Sequence, residues 1–136
     1  MKALIGLPIA LAAVAIAWSQ TNGSHAKKSQ LDGVWELVSG QPLPKGARDI
    51  KILSAGHVMF VAYDTETGKP LYTGGGTYIL NGSSYTEHMD FASEVIAAGL
   101  VGKDQQFTVK VDGDKFTQTG ILSNGEPLSE IWKRVN

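Results

Sequence analysis

One carboxylate, Glu87, stands where carboxylates are rare. In the run from Ser84 to Phe91 it shares strand parity with Tyr85, Met89 and Phe91, while Thr86, His88 and Asp90 take the other parity. Alternate residues of a strand face opposite sides, so the apolar set marks the interior and carries Glu87 inward with it. A carboxylate on such a face must be paired, protonated or wetted by a cavity. Two readings stand side by side: a structural network with Arg134, Lys51 or Tyr78, and a ligand anchor or acid/base group. Tyr63, Tyr78 and Tyr85, with Phe60, Phe91 and Phe107, supply either an aromatic ligand lining or ordinary core. His57, following Gly56 at a strand start, fits either an exposed turn or a ligand contact at a barrel mouth. The candidate ligand-binding set is therefore Glu87, Tyr78, Tyr85, Met89, Phe107, His57 and Tyr63, and no residue is assigned a catalytic role.

Other chemistries are excluded residue by residue. The chain has no cysteine, which removes disulfides, thiolate metal sites, a thiol nucleophile and a lipidated cysteine. Its three histidines, His25, His57 and His88, share no metal-binding spacing, so no metal is expected. No G-x-S-x-G segment accompanies them, and a serine-histidine-acid triad has no support. Gly74-Gly75-Gly76 lacks the lysine, the serine or threonine and the helix of a phosphate-binding loop. It fits a strand that must bend. No cofactor is implied. With 12 basic against 13 acidic side chains, a net charge of −1 and no basic block, nucleic acid is not an expected partner.

The elements that must position Glu87 are short β-rich runs at intervals of about 8 to 12 residues, the spacing of an all-β sandwich or barrel. Eight are legible: Gly33 to Ser39, Ala47 to Leu53, His57 to Asp64, Leu71 to Leu80, Ser84 to Phe91, Gln105 to Asp112, Lys115 to Leu122 and Leu128 to Val135. Thr65 to Pro70, Asn81-Gly82, Asp112-Gly113-Asp114 and Asn124-Gly125 supply turns, so successive strands are expected to pair antiparallel. Ala92 to Leu100 lacks alternation and is the one helical connector or lid. Phe107, Val109 and Val111 mark the inner face of their strand, and in the last strand the face of Leu128, Glu130, Trp132 and Arg134 is assigned inward. Interior positions that are not uniformly aliphatic favour a barrel with a polar-lined cavity over a packed sandwich.

Ahead of the domain, Lys2 precedes an uncharged apolar run from Ala3 to Ala17 that ends in the small-x-small triplet Ala15-Ile16-Ala17. This is the pattern of a secretory signal peptide, with cleavage expected after Ala17 and a second small-x-small site at Ser24-His25-Ala26. Removal of residues 1–17 takes away one lysine and moves the net charge from −1 to −2. No stable membrane span is expected after cleavage, and the location is expected to be periplasmic or secreted. Residues 18–30 are polar and read as a flexible leader, leaving 31–136 as one domain.

Gly33-Val34-Trp35 opening the first strand and Trp132-Lys133-Arg134 closing the last resemble the lipocalin signature of the calycin superfamily. The longer segments Leu31 to Ser39, Gly75-Gly76-Thr77-Tyr78 and Leu128 to Arg134 are similar to uncharacterised bacterial exported lipocalin-like domains. The resemblance implies an eight-stranded up-and-down antiparallel β-barrel. In it Trp35 plugs the closed end and Arg134 packs across it, so that Trp35, Trp132 and Arg134 are structural. It also implies a small hydrophobic or amphipathic ligand. The chain departs from the family in having no match to its middle motif around Tyr63-Asp64 and no disulfide. Fold does not by itself assign function, so three hypotheses are carried forward. They are a binding barrel without chemistry, a cofactor-free isomerase, cyclase or hydrolase using Glu87 with Tyr78 or His57, and a filled barrel serving protein interaction.

Overall fold

A computed structural model describes residues 28–136. The expected signal peptide over residues 1–17 and all but the last three residues of the expected leader lie outside the described residues. Eight strands occur in chain order: β1 (Gly33–Ser39), β2 (Ala47–Ser54), β3 (His57–Asp64), β4 (Pro70–Asn81), β5 (Ser84–Ala92), β6 (Asp104–Asp112), β7 (Lys115–Ile121) and β8 (Pro127–Arg134). Each pairs antiparallel with its successor, and β1 pairs with β8, so the sheet closes into an up-and-down barrel. Closure leaves no free sheet edge. One short helix, α1 (Glu94–Ala97), interrupts the β5–β6 connection and occupies the centre of the expected connector.

The alternating strand direction sorts the connections to two ends. The β2–β3, β4–β5 and β6–β7 turns lie at one end, together with Leu31 and Asp32. The β1–β2, β3–β4, β5–β6 and β7–β8 loops lie at the other. The first end is plugged. Trp35 is fully buried, donates its indole N–H to the Leu31 carbonyl at 2.8 Å and meets Phe116 edge-on at 4.7 Å between centroids. The Arg134 guanidinium lies 4.0 Å over the Trp35 ring and donates to the Asp32 carbonyl at 2.9 Å. The aromatic face and the backbone acceptor together hold a charge that stays half-wet. Leu53, Val58, Tyr85, Val109 and Trp132 complete the core above this plug.

The three central glycines of β4 are required by close approach. A Cβ at Gly75 would meet the Val58 carbonyl and the Phe91 ring, and one at Gly76 would collide with the backbone of His88 and Asp90. Opposite them β5 carries an extra residue, because Gly75 pairs with Phe91 and Gly76 with Met89 while Asp90 is skipped. Such a bulge reverses the facing of every residue beyond it. It corrects one expectation: Phe91 does not continue the inner face of Tyr85, Glu87 and Met89 but turns outward, where it is 43% exposed. The tight β2–β3 connection places both Ala55 (φ 50°) and Gly56 (φ 80°) in the left-handed region that a two-residue hairpin needs.

Candidate functional site

Strand alternation delivers an unusual set of side chains to the barrel interior. Asp49 and Lys51 come from β2, Glu87 from β5, Gln105 from β6, Gln118 from β7 and Glu130 from β8, all buried. Lys51 is the hub. Its Nζ lies 3.2 Å from Glu87 Oε1 and donates to Gln118 Oε1 at 3.1 Å, and it sits 4.6 Å from the centroid of the Trp132 ring. Glu87 Oε1 also accepts the Tyr85 hydroxyl at 2.6 Å. Glu87 thus has a cation and a phenol, and of the three partners weighed from sequence the structure selects Lys51.

Two further carboxyls face the same space. Tyr72 donates its hydroxyl to Asp49 Oδ2 at 2.6 Å, and Trp132 donates its indole N–H to Glu130 Oε2 at 3.0 Å. Burial raises the pKa of Asp49 above the ordinary carboxyl value, against the opposing pull of Tyr72 and Lys51. Burial likewise raises that of Glu130, and repulsion from Glu87 and Asp49 adds to it against the pull of Lys51. For Lys51 burial works against the charge, yet Glu87 and Glu130 outweigh it and lift its pKa. The Tyr85 phenol is pushed well up by burial and by Glu87.

These groups floor a cavity of about 390 Å³. Phe60, Tyr72, Phe107 and Trp132 form its aromatic wall. Nearer the mouth the lining is largely aliphatic, with Val95, Ile96 and Leu100 from the β5–β6 connection and Leu122 and Leu128 beside the β7–β8 loop, while Gln41, Asn124 and Glu126 add polar groups at the rim. That connection is tied down across the opening. Gln105 exchanges hydrogen bonds of 2.8 Å with the Ser123 hydroxyl and backbone N–H, and Ser123 in turn donates to the Gly99 carbonyl. The helical connector is therefore clasped to the β7–β8 loop. Its volume falls within the range of about 300–1,000 Å³ typical of small-molecule sites.

The residues singled out from sequence separate into three groups. Glu87 and Phe107 line the cavity. Tyr85 and Met89 are buried in the wall behind it, Tyr85 as a hydrogen-bond donor to Glu87. Tyr78, His57 and Tyr63 are elsewhere. Tyr78 belongs to the plugged end, where its hydroxyl donates to Asp32 Oδ1 at 2.7 Å and burial together with Asp32 pushes its pKa up to about 12. His57 begins β3 at that same end and is exposed. Tyr63 follows the fully buried Ala62, so its side chain takes the outer face beside Arg48. His88 also faces outward, its Nδ1 2.7 Å from Asp104. Among the described residues no group of three or more His, Asp or Glu is arranged to hold a metal ion.

Asp49, Gln118 and Glu130 were not singled out as candidates from sequence, although the parity argument that found Glu87 reaches Gln118 through Phe116 and Glu130 through Trp132. Residues 30–136 match the family model described as Domain of unknown function (DUF4488), and the chain belongs to that family. Comparison with curated proteins and with solved structures finds no match.

Proposed function

We propose that this member of the DUF4488 family is an exported, lipocalin-like binding protein that holds a small hydrophobic or amphipathic molecule in its barrel without transforming it. The observation that carries the reading is the cavity of about 390 Å³ at the unplugged end, largely apolar toward its mouth and polar at its floor. An interior of that size with a few convergent polar groups is the usual form of a small-molecule site. A filled barrel would have no such space. The catalytic alternative required Glu87 to converge with Tyr78 or His57; Tyr78 pairs with Glu87 across β4 and β5 but sends its hydroxyl to Asp32 at the plugged end, and His57 is exposed at that end. Glu87 instead meets Lys51 and Tyr85, an arrangement that holds a charge still.

The signal-like segment over residues 1–17 supports export, and a periplasmic or secreted location suits a carrier. Native mass spectrometry of the protein purified from its own host tests both parts. The expected result is a mature chain beginning at Trp18 with a stoichiometric organic molecule recovered on extraction. A full-length N-terminus refutes cleavage after Ala17, and recovery of the protein in the cytoplasmic fraction refutes export. An empty protein that also fails to enhance the fluorescence of N-phenyl-1-naphthylamine refutes the binding reading.

A further inference from the structure

Asp49 is 3% exposed and lines the cavity, yet among the described residues its Oδ1 is the buried side-chain oxygen with no hydrogen-bond partner. Its other oxygen is committed to Tyr72. A buried polar atom left without a partner costs about 1–3 kcal/mol, so a persistent one points to something that completes it. Protonation does not remove the problem, because an Oδ1–H would then be a donor without an acceptor.

The surroundings specify the sign of what is missing. Asp49, Glu87 and Glu130 project into one space, and Glu126 stands at the rim, while among the described residues Lys51 is the one basic side chain in the lining. Lys51 is already engaged by Glu87 and Gln118. The wall has therefore more acid than base, and its aromatic surfaces accept cations too, as the Lys51 ammonium above Trp132 demonstrates. An inorganic cation has no three-ligand group among the described residues, and the aliphatic mouth calls for an organic tail.

We propose that the cavity selects amphipathic amines: a protonated amino group reaches the floor and donates to Asp49 Oδ1 and the Glu130 carboxylate, and its apolar tail runs along Val95, Ile96, Leu100 and Leu122 toward the mouth. The inference rests on the binding reading above and narrows it to a ligand class. Charge-assisted hydrogen bonds to two carboxylates in a site shielded from water distinguish such a ligand from an alcohol or a fatty acid of the same length. A fatty acid would bring a fourth carboxylate to the same floor. Binding is also coupled to pH, because both receiving carboxyls must be ionised. The groups facing them are Lys51 on β2, Tyr72 on β4, Glu87 on β5, Gln118 on β7 and Trp132 on β8. Affinity for the amine is expected to rise from acid toward neutral pH as Asp49 and Glu130 lose their protons.

Isothermal titration of the wild-type protein with n-octylamine, n-octanol and n-octanoate at pH 7.5 tests the order. The amine is expected to bind about tenfold or more tighter than the alcohol, with the carboxylate weakest. Asp49→Asn keeps the acceptor for Tyr72 and is expected to bring octylamine down to the affinity of octanol while leaving octanol within about twofold. Glu130→Gln, which keeps the acceptor for Trp132, provides a second variant with the same expectation. Octanol or octanoate binding as tightly as octylamine overturns the amine inference and leaves the binding reading intact. So does an amine preference that survives in both variants. Failure of all three octyl probes together with N-phenyl-1-naphthylamine overturns the binding reading itself.

Discussion

Lys51→Met probes the electrostatic hub with least change of shape, since methionine preserves the unbranched stem and removes the ammonium. The lysine is 3% exposed, and its loss leaves the equally buried Glu87 with the Tyr85 hydroxyl as its remaining donor. Removing one partner of a buried pair costs about 3–5 kcal/mol, because the other charge is stranded. An escape route sets a ceiling on this cost, since the stranded carboxylate can take up a proton. Holding a glutamic acid protonated at pH 7 against an ordinary solution value of about 4.3 costs about 3.7 kcal/mol. The loss expected at pH 7 is therefore about 3–4 kcal/mol, and at pH 4.5, where the proton comes almost freely, it should fall below about 1 kcal/mol. Urea unfolding followed by tryptophan fluorescence at both pH values measures this directly, Trp35 and Trp132 both being buried reporters. The double variant Lys51→Met/Glu87→Gln should recover most of the loss at pH 7, because the neutral amide can still accept from Tyr85 and leaves no stranded charge. Stability of Lys51→Met within experimental error of wild type at pH 7, or an equal loss at both pH values, refutes the account of Lys51 as the ion holding Glu87 in the interior.

The plugged end predicts its own cost: Trp35→Ala removes a fully buried ring from beneath Arg134 and beside Phe116, and should lose about 3–5 kcal/mol in urea unfolding. Asp49 and Glu130 both have pKa values raised in the folded state above their ordinary 3.8 and 4.5, so the folded state binds more protons than the unfolded one just above those values. Their contribution to stability is complete below that range and is lost as pH rises through the folded-state values; thermal melting between pH 3.5 and 8 should show the decline, and Asp49→Asn/Glu130→Gln should flatten it. Ala55 carries a left-handed φ of 50° that costs a side-chain-bearing residue about 1–2 kcal/mol, partly offset in glycine by its larger unfolded-state entropy. Ala55→Gly should therefore raise stability by roughly 0.5 kcal/mol, visible as a shift of the urea midpoint at unchanged m-value.

The barrel was legible because its information is local. Turn dipeptides such as Asn81-Gly82 and Asn124-Gly125 separate runs whose alternation is set by neighbouring residues, and all eight strand starts fall within one residue of where the pattern puts them, Gly33, Ala47, His57, Ser84 and Lys115 being matched outright. Phe91 was misplaced because the bulge at Asp90 that turns it outward shows only in the pairing of β5 with the Gly75-Gly76 segment of β4, which the alternation of β5 alone does not reveal. Tyr63 was misplaced by its type, since an aromatic residue suggests a lining, whereas the neighbouring small Ala62 is the one that faces the crowded interior.

Asp49 shows why the site was harder to read than the fold. In Ala47 to Leu53 the two isoleucines, Ile50 and Ile52, share one parity and Asp49 and Lys51 the other, so hydrophobicity alone turns the strand inside out. The structure places Ile52 outward at 45% exposure and both charges inside. No property of β2 by itself makes that arrangement stable. It becomes stable when Glu87 from β5, Gln118 from β7 and Tyr72 from β4 arrive as partners, which requires the barrel to close. The polar floor is thus a property of the closed sheet, and its charges offset one another only in that geometry. The same reasoning gives weight to the one oxygen the network leaves over. Five strands converge to satisfy the buried groups around Lys51, and among the described residues the buried side-chain atom they leave without a partner, Asp49 Oδ1, belongs to a residue that lines the cavity. An acceptor left over on a cavity-lining residue is what a donor arriving from the mouth would complete.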